Sequence, residues 1–95
     1  MSDAYVVGHI TVKNAQMWAE YRSKVPATMA PFGAELSFRG KLAQVLSGTH
    51  SHTDVVVASF PDRAALEAWH ASPAYQALIP LRTAAAEVDL MSYDS

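Results

Sequence analysis

The side chains able to bind or transform a small molecule are scattered along the chain, and their spacing decides what each could do. His9 lies in an alternating stretch and shares one side with Tyr5, Val7 and Thr11. An imidazole is a common general base near neutral pH, so His9 is the candidate catalytic group; the alternative is a core or interface histidine bonded to a neighbour. Arg39 stands just before Gly40, where a guanidinium could clasp a ligand carboxylate, or could simply be a surface arginine beside a turn. Tyr75, Leu78 and Arg82 fall at i, i+3 and i+7, one helical stripe, so Arg82 is either paired internally or lines a cavity. Trp18 and Tyr21 sit three apart on an earlier helix as core aromatics, and a buried Tyr21 hydroxyl needs a partner, in the protein or in a ligand. Trp69 pairs with Leu66 at helical spacing as core or as pocket wall, and His70 turns toward solvent.

Other chemistries find no support. The glycines at 8, 33, 40 and 48 form no phosphate loop, and no Gly-x-Ser-x-Gly elbow exists. His50-Ser-His52 could chelate a metal, but no cysteine and no placed carboxylate completes a set, so no metal is expected. A net charge of −2 without a basic run argues against nucleic acid. The absence of cysteine fits a reducing cytoplasm, Met1-Ser-Asp lacks the basic start of a signal peptide, and no apolar run is long enough for a membrane helix.

The elements that must hold these groups follow from periodicity. Ninety-five residues read as one domain over 1–95. Such a chain should expose roughly 5,400 Å² when folded. Hydrophobic residues make up 51% and charged ones 17%, so disorder is excluded and some apolar surface is expected to meet a partner. Residues 4–12 alternate as a strand. Asn14 can cap a helix that carries Trp18, Tyr21 and Val25, kinks at Pro26 or resumes there as a second turn through Pro31, and stops at Gly33. Runs 36–39 and 42–46 flank Gly40-Lys41 as a hairpin, and 54–60, with Val55-Val56-Val57, reads as a central strand. Asp62 opens a helix, Ser72-Pro73 restarts it, 74–86 is helical with a kink at Pro80, and 88–92 forms a last edge strand.

This order predicts an α+β, ferredoxin-like βαββαβ fold with an extra hairpin strand, its antiparallel sheet carrying helices on one face. Both sheet faces are apolar in part, so two copies are expected to join their open faces as a homodimer.

The run Tyr5-Val-Val-Gly-His-Ile-Thr-Val12, with Trp18-Ala-Glu-Tyr21 and Pro26-Ala-Thr-Met-Ala-Pro-Phe-Gly33, resembles the family called domain of unknown function 1330. So do Arg39-Gly40, Phe60-Pro61, Ala68-Trp69, Ser72-Pro73, Tyr75-Gln-Ala-Leu78 and Leu81-Arg82. The resemblance spans nearly the whole chain and implies the dimeric α/β barrel superfamily, which includes cofactor-free monooxygenases, haem-binding enzymes and small-molecule isomerases. Two positions depart from the family pattern. Ser59 stands where Glu is usual before Phe-Pro, and Asp54 where Arg or Lys often begins that strand.

A small acidic or aromatic molecule, bound or transformed without a cofactor in a pocket between sheet and helices, is the expectation. Tyr5, Val7, His9, Trp69, Tyr75 and Leu78 would line that pocket, with Tyr21, Arg39 and Arg82 as further contacts. The alternative is a non-catalytic dimerisation module with a packed interior. Superfamily analogy alone adds haem held by His9 or His70.

Overall fold

Strict alternation over the first strand places one set of side chains under the helices and the other on the bare side of the sheet. A computed structural model describes residues 3–95; Met1 and Ser2, the start of the segment read as lacking a signal peptide, lie outside the described residues. Strand β1 (Ala4–Val12) leads through Asn14 to helix α1 (Ala15–Met29) and a short 3₁₀ turn (Ala30–Phe32). Strands β2 (Glu35–Lys41) and β3 (Asp54–Phe60) follow, then α2 (Arg63–Ala71), α3 (Pro73–Gln76), α4 (Ile79–Ala85) and β4 (Ala86–Asp94). The four strands lie in the order β2-β3-β1-β4, every neighbouring pair antiparallel. This is the expected ferredoxin-like arrangement, with β1 and β3 inside and β4 on an edge.

Local chemistry sets the helix ends. The Asn14 side chain accepts from the Met17 amide at 3.0 Å, and Asp62 from that of Ala65 at 2.8 Å. Pro26 is accommodated inside α1, and the chain leaves the helical run at Gly33, whose φ of 70° is open to glycine. Ser72 caps α3 with Pro73 in its first turn, as the sequence implied.

Two expectations are corrected. The chain does not turn at Gly40-Lys41: β2 runs straight through both, and residues 42–46 form no strand. Gly40 serves the neighbouring ring instead, because a Cβ there would stand 2.8 Å from the Phe38 ring two residues away. The hairpin connection is therefore a long loop, residues 42–53, tied down by the Leu42 amide on the Thr53 carbonyl and the Thr53 amide on the Ile10 carbonyl. Pro80 does not kink a continuous helix either. The chain breaks after Gln76, and Pro80 falls in the first turn of α4, where its missing N–H costs nothing.

Ala4, Val6, Ala58, Phe60, Leu66, Trp69 and Tyr75 build the core between sheet and helices. The opposite sheet face carries Tyr5, Val7 and His9, which pair across the strands with Tyr93, Met91 and Asp89. Among the described residues no helix lies over it, and only the 42–53 loop reaches it, at its His9 end. The molecule is consequently a slab of 33 × 30 × 16 Å, its short axis one sheet plus one layer of helices. Its surface of 5929 Å² exceeds the roughly 5,400 Å² normal for this mass, as an uncovered face would require.

Candidate functional site

A cavity of about 180 Å³ opens between α1 and the helix-side face of the sheet. Its floor is Val6, Gly8 and Ile10 of β1, and its aromatic walls are Trp18, Tyr21, Trp69 and Tyr75. Gly8 matters by its smallness: a Cβ would come within 3.1 Å of Val56 Cγ1 and 3.3 Å of Leu90 Cδ1. Two arginines, Arg22 and Arg39, line the same cavity and are exposed at its rim.

The Ser72-Pro73 break is what brings Tyr75 to Trp69. Ser72 Oγ donates to the Trp69 carbonyl at 2.7 Å and accepts the Tyr75 amide at 3.3 Å, folding α3 back beneath α2. The two ring centroids then lie 4.2 Å apart, and Phe60 packs 5.3 Å from Trp69 on the other side. Trp69 Nε1 donates to Thr28 Oγ1 at 3.0 Å, which fixes the indole against α1.

A polar chain runs through this apolar wall. Arg82 Nη1 donates to Tyr75 Oη at 2.8 Å, and Tyr75 Oη lies 2.9 Å from Tyr21 Oη. Tyr75 is wholly buried, at 0% exposure. If Tyr21 donated to it, Tyr75 would be left with a proton and no acceptor, a costly arrangement in a dry site. The arginine bond also makes the Tyr75 O–H the better donor. The chain therefore runs Arg82 to Tyr75 to Tyr21, and the Tyr21 proton is left at the cavity wall, where no described residue accepts it. Burial first, then the neighbouring Tyr75, push the Tyr21 hydroxyl far above the usual phenol range, so it stays an O–H donor and never a base.

At the rim the electrostatics are cationic. Loss of water, and then the like charge of Arg22, hold the Arg39 guanidinium below its ordinary value. Among the described residues no carboxylate pairs with Arg22 or Arg39, and the cavity lining contains neither carboxylate nor imidazole. The site can bind an anion and donate a hydrogen bond; it offers no general base of its own.

The structure sorts the sequence candidates into two groups. Tyr21, Arg39, Trp69 and Tyr75 come together at this cavity. Arg82 lies behind Tyr75 and acts through its hydroxyl, the internally paired alternative. Tyr5, Val7 and His9 are the correction: alternation puts them on the opposite sheet face from Trp69 and Tyr75, and Val6, Gly8 and Ile10 take their place. Leu78 packs against the core outside the lining. Arg22 was missed by sequence reasoning; its position one residue after Tyr21 on the cavity-facing helix was the available signal. His9 instead meets the 42–53 loop, its ring 5.0 Å from His50 and 6.5 Å from His52. His70 is exposed, as expected.

An antiparallel four-stranded sheet with helices on one face, and a cavity between the layers, define a ferredoxin-like α+β protein. The chain belongs to the family described as domain of unknown function (DUF1330), whose model matches residues 3–94. Among solved structures it is similar to the RPA0582 protein of unknown function from Rhodopseudomonas palustris, at 17% identity and a TM-score of 0.81, covering 97% of this chain and 81% of that one. SnoaB, a cofactor-independent oxygenase from Streptomyces nogalater, matches at 14% identity and a TM-score of 0.73, covering 100% and 94%. A dimeric ferredoxin-like protein of unknown function from Jannaschia sp. CCS1 matches at 14% identity and a TM-score of 0.69, covering 98% and 99%. At these identities the likeness is one of fold. No curated protein matches the chain. No helix among the described residues is long and apolar enough to cross a membrane.

Proposed function

We propose that this protein binds, and if reactive transforms, a single-ring aromatic acid in the cavity between sheet and helices, without a cofactor. The observation that carries the reading is the cavity itself: an apolar space of about 180 Å³ with two guanidiniums at its rim that no described carboxylate pairs. A dry cavity of about 150 Å³ accommodates benzene, so this one suits one ring and a short substituent. The partly buried Trp18 and the aliphatic lining contact the ring, Arg22 and Arg39 take the carboxylate, and the free Tyr21 proton meets an oxygen at the buried end. Any turnover would draw on the ligand's own reactivity, since the lining supplies a proton donor and positive charge only. The similarity to a cofactor-independent oxygenase agrees with such chemistry as an analogy of fold. The packed-module alternative is disfavoured by the open cavity.

The working unit in this reading is a homodimer joined through the open sheet faces. Phe38, Met91 and Tyr93 are exposed there, the slab is one layer short, and a structural neighbour is described as dimeric. Tyr5 would then lie in the interface and not against the ligand.

Native mass spectrometry of the purified chain, followed by fluorescence titration with benzoate and its ring-substituted forms, tests both parts. Trp18 and Trp69, the two tryptophans of the chain, both line the cavity, so a bound acid quenches them saturably. A dimer with saturable quenching by acids, and at least about tenfold weaker quenching by the matching alcohols, is the expected result. Quenching by none of them overturns the ligand reading, and a monomer overturns the assembly.

A further inference from the structure

We infer that the open sheet face carries a proton-sensitive latch: with His9 and His50 neutral a second copy of this chain pairs there, and with both protonated it is released. The inference rests on the homodimer proposed above and adds its control.

His9 is central to that face. It lies on the inner strand β1, opposite Val55 of β3 and Asp89 of β4, so a copy covering the face covers the imidazole. The 42–53 loop folds back over it and sets His50 edge-on at 5.0 Å between ring centroids, with His50 and His52 5.7 Å apart. His52 is anchored separately. Its Nδ1 lies 2.9 Å from Thr11 Oγ1, and its Nε2 lies 2.7 Å from Asp89 Oδ2, so a proton gained there finds an anion.

His9 and His50 have no carboxylate bonded to them, and the one opposite His9, Asp89, lines a recess with all three rings and carries a single charge. Neither ring is hydrogen-bonded to a described residue. Asp54 shares their recess but is paired with Lys41 at 3.7 Å, Asp89 is held by His52, and Glu87 stands opposite Thr11, one residue farther along. No three His, Asp or Glu side chains among the described residues converge as metal ligands do.

Neutral rings meeting edge to face attract weakly, whereas two imidazolium rings at that separation repel. Covering the face removes the water that screens this repulsion, which disfavours the charged form in the pair. The sign follows. The paired state binds fewer protons, so affinity is full above the imidazole range and falls as pH drops through it.

The test is a sedimentation dilution series of the full chain at about pH 8 and about pH 5.5, at constant ionic strength, with circular dichroism at both. The dimer dissociation constant should be at least about tenfold higher at the lower pH while the dichroism is unchanged. His50→Gln, on an exposed loop, should shrink that ratio, and His9→Gln with His50→Gln should bring it near one. A ratio within about twofold for the native chain overturns the latch and leaves the dimer standing. So do unfolding at the lower pH and full pH dependence in His50→Gln. A monomer at about pH 8 overturns the dimer reading itself.

Discussion

Arg82 ends 2.8 Å from the Tyr75 hydroxyl, one charge-assisted bond from α4 into the fully buried end of the aromatic wall. Seven residues separate the two in sequence, and the break after Gln76 turns α3 so that the phenol points back at the guanidinium. A partly buried cation thus sets the direction of every proton beyond it. Tyr75→Phe should cost about 1–3 kcal/mol, because Arg82 loses its acceptor and the Tyr21 bond is lost as well. Urea unfolding checks the cost through its midpoint at constant slope. The same variant should bind oxygen-bearing acids more weakly, since Tyr21 is no longer held in line. Unchanged midpoint and unchanged affinity together would mean that the chain positions nothing.

The Tyr21 hydroxyl predicts an alkaline limit to stability. Its folded value is raised above the unfolded phenol value of 10.0, by burial first. A group shifted in this direction contributes stability that is complete below the unfolded value and is lost as pH rises above it. The protein should therefore weaken above about pH 10, with the Tyr21 phenolate absorbing only as the chain unfolds. Tyr21→Phe should flatten that loss. A Tyr21 that ionises in the intact fold would contradict the buried assignment.

Much of this was legible in the sequence because it rests on local chemistry. Asn14, Asp62 and Ser72 cap the helices they were expected to cap, and the alternation over residues 4–12 marks β1 with its two faces correctly separated. Which face would meet the helices stayed open although a signal existed: Val6, Gly8 and Ile10 form the apolar set and Tyr5, Val7 and His9 the mixed one, but a strand expected to be covered on both sides gives either set a place inside. The choice depends on the long-range packing of Trp69 and Tyr75. The Gly40-Lys41 turn failed for a related reason: a glycine in a strand can signal either a reversal or room for a ring, and Phe38 supplies the ring. The histidine cluster was hidden because the 42–53 loop carries His50 back across the sheet to a residue some forty positions earlier. No spacing rule spans that distance.

The arginine pair makes ligand affinity depend on charge. Loss of water first, and then the like charge of Arg22, lower the proton affinity of Arg39, and a bound carboxylate relieves both. Replacing both with glutamine should weaken benzoate binding at least about tenfold while leaving the alcohol analogue within about twofold. It should also remove most of the salt dependence seen with the native chain, because the rim is exposed and screened. Stability should not fall, since two neighbouring like charges are removed and neither is paired with a described carboxylate. Equal weakening of acid and alcohol would instead point to a loss of cavity shape.

Gly8 offers the most direct check that the cavity is the site. Its missing side chain leaves space over the middle of β1, and even a methyl group would press on Val56 and Leu90 at 3.1 and 3.3 Å. Gly8→Val places two further carbons in the cavity floor. The strand itself is compatible with valine, which favours extended backbone, so the overpacking cost of about 1–3 kcal/mol is partly offset. Tryptophan quenching by benzoate should fall at least about tenfold, and sedimentation at about pH 8 should be unchanged because the open face is untouched. Gly8→Ala should fall between the two, as Val56 and Leu90 need to yield only a few tenths of an ångström. Native affinity in Gly8→Val would mean that the acid binds elsewhere, and Trp18 and Trp69 would be reporting a change they do not contact.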